Sequence, residues 1–218
     1  MASTEAPSHR RAWALFVVAA AAGAGLVSPY VTFHVGSGRL DITGRLHWYV
    51  LVVHIFAALV ALVLGPLQFI PAIRARRPVH RAIGRGYLLA GVLPAALAAV
   101  PVALLSGRLL TQVGLTVAAA GWLVTGHLAL RAARRRDFEA HRSWMARNYA
   151  FTFLAVTARV VVPLLLLAQL PFRGTAERAS FGNEAHDLIP VGQTLGWIVN
   201  LAVAEVLIRR RRARSAHT

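Results

Sequence analysis

Residues 126–159 read GHLALRAARRRDFEAHRSWMARNYAFTFLAVTAR, and this stretch decides the fold. It leaves an apolar run near Gly126, passes through an arginine-rich turn, and enters a second apolar run that contains Arg159. A second segment, QFIPAIRARRPVHRAIGRGY at residues 68–87, has the same order of arginines, a His-Arg pair, and an arginine and a tyrosine that open the next apolar run. Apolar runs joined by short basic turns are typical of helical hairpins in a membrane.

The composition is that of a membrane protein rather than a soluble one. Of the 218 residues, 57% are hydrophobic and 15% are charged, whereas soluble domains carry about 25% charged residues. Cysteine is absent, which excludes disulfides, thiolate metal sites and cysteine nucleophiles. The serines lack a nucleophile-elbow motif and no phosphate-binding glycine pattern occurs, so the sequence favours a non-enzymatic role.

Hydropathy predicts an all-α integral membrane protein, a six-transmembrane-helix bundle in one membrane domain of residues 13–208. The predicted spans are residues 13–33, 46–73, 83–105, 109–130, 146–170 and 188–208. Residues 1–12 and 209–218 are predicted to be polar tails. We expect the first span to be retained rather than cleaved, because its apolar run continues past the small residues that a signal peptidase would recognise.

Two local features refine these spans. Gly65-Pro66 should kink the second span, since proline removes a helical hydrogen bond. Asp137 is a suitable N-cap for a fifth helix, which we expect to run without interruption to about Leu170.

The distribution of arginine predicts the orientation. The formal net charge is +16, and all 24 basic residues are arginines. The two tails and the segments 74–85 and 131–147 hold 18 of them, and these four segments alternate with the remaining loops. The positive-inside rule then places both termini in the cytoplasm of a multi-pass plasma-membrane protein, with anionic headgroups as partners. A nucleic-acid partner is disfavoured, because no basic stretch is interleaved with aromatic residues.

Polar residues within the spans fall on stripes at helical spacing. The stripes are His47, His54 and Gln68 on the second span, His141, Met145, Asn148, Thr152 and Arg159 on the fifth, and Gln193, Trp197 and Asn200 on the sixth. Such faces should point inward, to a functional cavity or to hydrogen bonds between helices. Arg159 could pair with Glu205, the only carboxylate in any predicted span, hold an anionic ligand, or brace carbonyls.

The histidines suggest a b-type haem, which needs two imidazoles on facing helices at one depth. One predicted pair is His127 with His141 or His80, and at the other membrane face His54 could act with His34, His47 or His186. No metal site is predicted within a helix. A divalent cation could bind only if three loops brought His34, Asp41, His47, His186 and Asp187 together.

Several motifs together suggest a family. They are His54, Leu64-Gly65-Pro66-Leu67-Gln68-Phe69, Arg74, His80-Arg81-x-x-Gly84-Arg85-x-Tyr87, His141-Arg142-x-Trp144-Met145-x-Arg147, Arg159-Val160 and Trp197 to Glu205. From about residue 46 to residue 206, the chain resembles the bacterial membrane proteins grouped as domain of unknown function 2306. The resemblance implies a multi-span bundle and no particular activity. The chain is also distantly similar to two-haem cytochrome b bundles, although two of its four histidines lie in turns.

These observations give three hypotheses. The first is an electron-transfer module that binds haem b through His127, His141, His80 or His54, with Arg159 near a propionate. The second is a cofactor-free transporter, or a protein that binds a lipid or an anionic small molecule through Arg159 and the polar residues Gln68, Asn148, Asn200 and Glu205. The third is a membrane scaffold with a basic inner face.

Overall fold

The computed structural model describes residues 6–31, 44–169 and 181–215. These residues form helices joined by short turns, and no strand occurs among them. The helices are α1 (Ala6–Val27), α2 (Arg45–Leu67), α3 (Pro71–Ala75), α4 (Arg77–Arg85), α5 (Leu93–Leu104), α6 (Leu109–Arg134), α7 (Phe138–Thr152), α8 (Leu154–Gln169) and α9 (Phe181–Ser215). A 3₁₀ turn, Ser28–Tyr30, follows α1, and a π-helical segment, Gly86–Val92, joins α4 to α5.

The all-helical membrane fold is confirmed. Five segments are long and apolar enough to cross a bilayer: Ala12–Tyr30, Arg45–Leu67, Arg77–Leu104, Leu109–Arg134 and Asp187–Ser215. The pair α7 and α8 makes a sixth span if the two helices cross as one bent unit. The end that we predicted for the first span, and most of the loop before the sixth, lie outside the described residues.

The second span ends earlier than we predicted. Gly65-Pro66 does not kink a helix that continues to residue 73. Instead α2 ends at Leu67, and the chain turns before the short helix α3 begins at Pro71. The amide of Gln68 donates to the carbonyl of Gly65 at 3.0 Å, and the amide of Phe69 donates to that of Pro66 at 3.0 Å. These bonds span three residues, and such bonds tighten and close the last turn of a helix.

The fifth span is broken, which we did not predict. Asp137 caps α7 as expected, since its carboxylate accepts from the amide of Ala140 at 3.0 Å. The helix then ends at Thr152, and α8 leaves Phe153 at an angle of 51°. At the other end of the chain, α9 continues without interruption into the basic tail, so that residues 209–215 extend the sixth span as helix.

The chain divides into two compact units, residues 1–105 and 106–218. In the first unit, α2 packs against α1 on one side and against α5 and the π-helical segment on the other. Its apolar core contains Tyr30, Trp48, Leu51 and Val52. Gly91 of the π-helical segment lies against the backbone of α2, where a Cβ atom would approach the Ala61 nitrogen to 2.8 Å.

In the second unit, α6 packs mainly against α7, and α8 mainly against α9. Gly192 and Gly196 lie on the face of α9 that meets α8. A Cβ atom on Gly196 would lie 3.2 Å from the carbonyl oxygen of Leu154 and 3.4 Å from the nitrogen of Ala158. Small residues four apart let two membrane helices approach at backbone distance, and this approach positions the polar face of α9 described below.

Each of the two basic turns is closed by one hydrogen bond between corresponding positions, with donor and acceptor exchanged. In the first unit the side-chain amide of Gln68 donates to the backbone carbonyl of His80 at 3.4 Å. In the second unit His141 Nδ1 donates to the backbone carbonyl of Ala129 at 2.9 Å. Both bonds join residues that are 12 positions apart. The internal repeat suggested by the two His-Arg motifs therefore has a structural counterpart in the turns.

Gly91 provides a test of the packing in the first unit. We expect Gly91→Ala to lower stability by about 1–3 kcal/mol, because the new methyl group meets the backbone of Ala61, which cannot rotate away. Thermal unfolding of the detergent-solubilised protein, followed by circular dichroism, measures the change. The matched control is Gly25→Ala in α1, where the added Cβ meets no atom of the described chain within 4 Å. Equal melting midpoints for the two variants would contradict the close approach of α2 and the π-helical segment.

Candidate functional site

Polar side chains of the α7 stripe face α6 and form hydrogen bonds between the two helices. Asn148, which is completely buried, donates to the carbonyl of Trp122 at 2.6 Å and to Thr125 Oγ1 at 2.9 Å. Trp122 Nε1 donates to Thr152 Oγ1 at 3.0 Å. Polar side chains that satisfy each other between membrane helices stabilise the pair. This part of the stripe is therefore structural.

A second polar group lies where the fifth span breaks. In an uninterrupted α-helix the carbonyl of Ala150 would accept from the amide four residues later, that of Leu154. Here Asn200 of α9 donates to that carbonyl at 3.0 Å, and its own oxygen accepts from Thr157 Oγ1 at 2.8 Å. One amide thus connects α9 to both sides of the break, and it supplies a partner for backbone exposed by the bend.

The same face of α9 carries Trp197 and Gln193, each about one turn further from the break. The Trp197 ring stacks on Phe151, with centroids 6.0 Å apart and planes inclined at 28°. Trp197 Nε1 and Gln193 Oε1 are buried, and neither has a hydrogen-bond partner among the residues that the structure describes. A buried polar atom without a partner costs about 1–3 kcal/mol. These two atoms therefore mark a place where the protein leaves hydrogen-bonding capacity unused, in the first half of the apolar segment Asp187–Ser215.

Glu205 binds a different arginine from the one that we considered. Both Arg147 Nε and Nη2 donate to its carboxylate, the latter at 3.1 Å, and the Arg147 guanidinium also lies 4.6 Å from the centroid of the Trp144 ring. Arg159 is exposed, and it donates to the carbonyl of Ala155 within its own helix at 2.9 Å. The suggested Arg159–Glu205 pair does not form: the neighbouring Ala158 lies against Gly192 and Gly196, more than two turns of α9 away from Glu205. Of the three roles considered for Arg159, the bracing of a carbonyl is the one that this contact shows.

Within the second unit, the predicted haem ligands His127 and His141 do not converge. His127 is exposed on α6, two residues from Ala129, which is completely buried. Two residues apart on a helix point in roughly opposite directions, so His127 faces away from His141, whose ring is bound to the Ala129 carbonyl. His54 and His80 belong to the first unit, where His54 Nδ1 donates to the carbonyl of Ala95 at 2.8 Å. The pair of His127 and His141 therefore does not fit an axial-ligand geometry.

The remaining candidates are distributed as follows. Gln68 is buried at the first basic turn, where it binds the His80 carbonyl. Among the described residues, no group of three or more histidine and acidic side chains could hold a metal ion. Of the five residues considered for a divalent cation, His34, Asp41 and the side chain of His186 lie outside the described residues.

Sequence reasoning missed three features of this region: the break at Phe153, the pairing of Arg147, and the spare polar atoms of Gln193 and Trp197. A signal was available for the last of these. The pattern Gly192-x-x-x-Gly196 indicates a close helix contact, and it interleaves with the stripe of Gln193, Trp197 and Asn200. No comparable signal marks the break, since residues 146–162 contain neither glycine nor proline.

Comparison with known proteins gives one match. A family model described as a predicted membrane protein (DUF2306) matches residues 51–208, which is more than half of the chain. No curated protein and no solved structure matches.

The Arg147–Glu205 pair provides a test of how α9 is held to α7. The side chain of Arg147 is only 19% exposed and that of Glu205 is 37% exposed. We expect Glu205→Gln to lower stability by about 1–2 kcal/mol, because a largely buried guanidinium loses its counter-charge. The matched control is Glu139→Gln, whose pair with Arg212 is mostly solvated, at 72% and 55% exposure. Exposed pairs contribute about 0–1 kcal/mol. Thermal unfolding of both variants measures the two losses of stability. An equal loss in both would show that burial of the Arg147–Glu205 pair is unimportant.

Proposed function

The chain belongs to the family of predicted membrane proteins called DUF2306, and from this premise we propose that it is a cofactor-free transporter that binds a small polar solute inside the membrane. The proposed binding site is the face of α9 formed by Gln193 and Trp197, next to the break in the fifth span. The observation that carries the proposal is the pair of buried polar atoms on this face that have no partner among the described residues.

Hydrocarbon offers no hydrogen bonds, so polar groups within a span are normally paired inside the protein. The neighbouring polar side chains follow this rule: Asn148, Thr152, Thr157 and Asn200 all bind one another's helices. An exception in the middle of such a network is typical of a functional site, where stability is exchanged for binding.

The site offers one hydrogen-bond donor and one acceptor. The indole nitrogen of Trp197 can only donate a hydrogen bond, whereas the side-chain oxygen of Gln193 accepts one. Residues four apart on a helix lie about 6 Å from each other along the axis. A matching solute therefore carries an acceptor and a donor separated by a few bonds, as in a small amino acid, amide or polyol. The stacked ring of Phe151 provides an apolar wall beside it.

The break in the fifth span also supports transport. In many transporters the substrate site is formed by discontinuous membrane helices near the midplane, and one helix bundle moves against the other around this site. Here α7 and α8 meet at 51°, and a single side chain, Asn200, bonds to both sides of the junction. A solute that binds to α9 beside this junction would contact the moving part directly.

The haem hypothesis receives less support from the described residues. Within the second unit His127 and His141 do not face a common space, and the family match carries no activity. The anionic-ligand version based on Arg159 is also weakened, since Thr157 faces Asn200 and Arg159, two positions later, points away from it. The polar solute of the present proposal is therefore neutral or zwitterionic.

A substitution at Gln193 tests the site without knowledge of the solute. We expect Gln193→Met to raise the melting midpoint of the solute-free protein, because an unpaired buried oxygen is replaced by an apolar group of similar size, with a gain of about 1 kcal/mol. The matched control is Asn200→Leu, which leaves the Ala150 carbonyl and the Thr157 hydroxyl without their partner and should lower the midpoint. A loss of stability in both variants would mean that Gln193 is structural. In a thermal-shift screen with amino acids, amides and polyols, any solute that stabilises the native protein should have no effect on Gln193→Met or Trp197→Phe.

The proposed orientation, with both termini in the cytoplasm of the plasma membrane, rests on the arginine distribution. Because the chain has no cysteine, single cysteines can be introduced without background. We expect Ser215→Cys to react with a membrane-impermeant maleimide only after cells are permeabilised, and Ser106→Cys to react in intact cells. The opposite pattern would reverse the topology, and equal labelling of both positions in intact cells would contradict a single orientation.

A further inference from the structure

The exposed side of α6 carries a basic groove that none of the roles above uses. The groove has a volume of about 410 Å³ and is lined by His127, Leu130, Arg131, Arg134 and Arg135. These residues follow each other at intervals of three and four, so they lie on one side of the last two turns of α6. All five are exposed. The opposite side of the helix, with Gly126, Ala129 and Ala132, is buried.

The positive charge of the groove is not neutralised within the described part of the chain. None of the carboxylates that the structure describes binds its three arginines. Asp137 caps α7, Glu139 pairs with Arg212, and Glu205 pairs with Arg147. Three guanidinium groups in close proximity favour a ligand with several negatively charged oxygens, and the fork of arginine matches a phosphate group particularly well.

An apolar surface leads directly into the groove. Val113, Val117, Ala120 and Val124 are exposed along α6, and with His127 and Arg131 they form a continuous strip at intervals of three and four residues. The distance from Val117 to His127 is about 15 Å along the helix axis. This is half of the roughly 30 Å hydrocarbon thickness of a bilayer, and thus the depth of one leaflet.

A strip of one leaflet's depth that ends in a phosphate-binding groove matches the shape of a phospholipid. A soluble phosphate would use the arginines but not the valines. A neutral lipid would use the valines but would leave the arginines without a counter-charge. Only an anionic phospholipid satisfies both parts, with its acyl chain along the strip and its headgroup in the groove.

We infer that the exposed side of α6 is a specific binding site for an anionic phospholipid. Arg131, Arg134 and Arg135 bind the headgroup of this lipid, and Val117 and Val124 contact its acyl chain. His127 lies at the level between them, where the exposed imidazole can donate to the phosphate or to an ester oxygen. This assigns the residue a role in lipid binding rather than in haem ligation. Part of the interaction between the basic segments and the membrane would then occur at one defined site.

The test uses the full-length chain in mild detergent, titrated with phosphatidylglycerol or with phosphatidylcholine of identical acyl chains, and analysed by native mass spectrometry. We expect the native protein to retain phosphatidylglycerol preferentially. In the variant Arg131→Gln/Arg134→Gln/Arg135→Gln its affinity should fall about 100-fold, since each arginine near a headgroup contributes roughly a factor of five. Affinity for phosphatidylcholine should not change. The variant should fold normally, because the three side chains are exposed.

The matched control removes the same charge elsewhere, in Arg74→Gln/Arg76→Gln/Arg77→Gln, where all three residues are also exposed. This variant should keep most of its affinity for phosphatidylglycerol. An equal loss in both triple variants would overturn the inference, since binding would then be diffuse attraction to net charge.

The apolar half of the site is tested separately. Val117→Ser/Val124→Ser should weaken phosphatidylglycerol binding although every arginine is retained. Inorganic phosphate and glycerol phosphate should compete poorly, because they lack the acyl chain. If either soluble anion displaced the lipid at comparable concentration, or if the serine variant bound phosphatidylglycerol like the native protein, the groove would be a site for a soluble anion and the lipid assignment would be wrong.

Discussion

Within a bilayer, a backbone carbonyl that loses its helical partner needs another donor from the protein, and the second unit is arranged around this requirement. The break at Phe153 interrupts the ladder of the fifth span, and Asn200 supplies the donor that the Ala150 carbonyl would otherwise lack. The amide reaches that carbonyl because Gly192 and Gly196 let α9 approach the backbone of α8. The break, the glycine contact and the polar face of α9 therefore depend on each other. A Cβ atom at Gly196 would press against the backbone of α8, so a larger residue there should move α9 away from α8 and weaken these hydrogen bonds.

The basic turns show how two different sequences reach one geometry. Each turn is closed by a polar bond between residues 12 apart, with the donor in the incoming helix in one case and in the outgoing helix in the other. The tyrosines that follow the two histidines differ in spacing by one residue, which weakens the repeat when only letters are compared. In the structure, the residue at the same distance from His141 as Tyr87 from His80 is Asn148, and both are completely buried. The position is thus retained as a buried contact, filled by packing in one unit and by hydrogen bonds in the other.

Hydropathy was sufficient to predict the membrane fold and most span positions, because the cost of burying charge in hydrocarbon acts on each segment independently. It could not predict which way a residue points. His127 lies well inside a predicted span, which suggested that it could be a haem ligand, yet it is on the exposed side of α6. Glu205 was considered as a partner of Arg159, but the register of α8 on α9 places Arg159 near Gly192 and Gly196, and Glu205 pairs with Arg147. The 51° bend was also not predictable, because no glycine or proline in the sequence marks it. Gly65-Pro66 correctly indicated an irregularity in the second span, but α2 ends directly after this pair instead of continuing with a kink.

The excess of arginine has a physical consequence beyond orientation. The chain has 24 basic residues and 8 acidic ones, so it cannot neutralise itself. Every carboxylate whose side chain the structure describes is already engaged: Asp137 in a helix cap, and Glu139, Asp187 and Glu205 in ion pairs. The surplus must be balanced by anions from outside the protein, and at the surface of a bilayer the abundant anions are lipid phosphates. Lysine would provide the same charge, but arginine binds phosphate through two parallel hydrogen bonds and is less strongly hydrated. A chain that uses arginine alone is therefore suited to hold individual headgroups in addition to being attracted by the charge of the membrane.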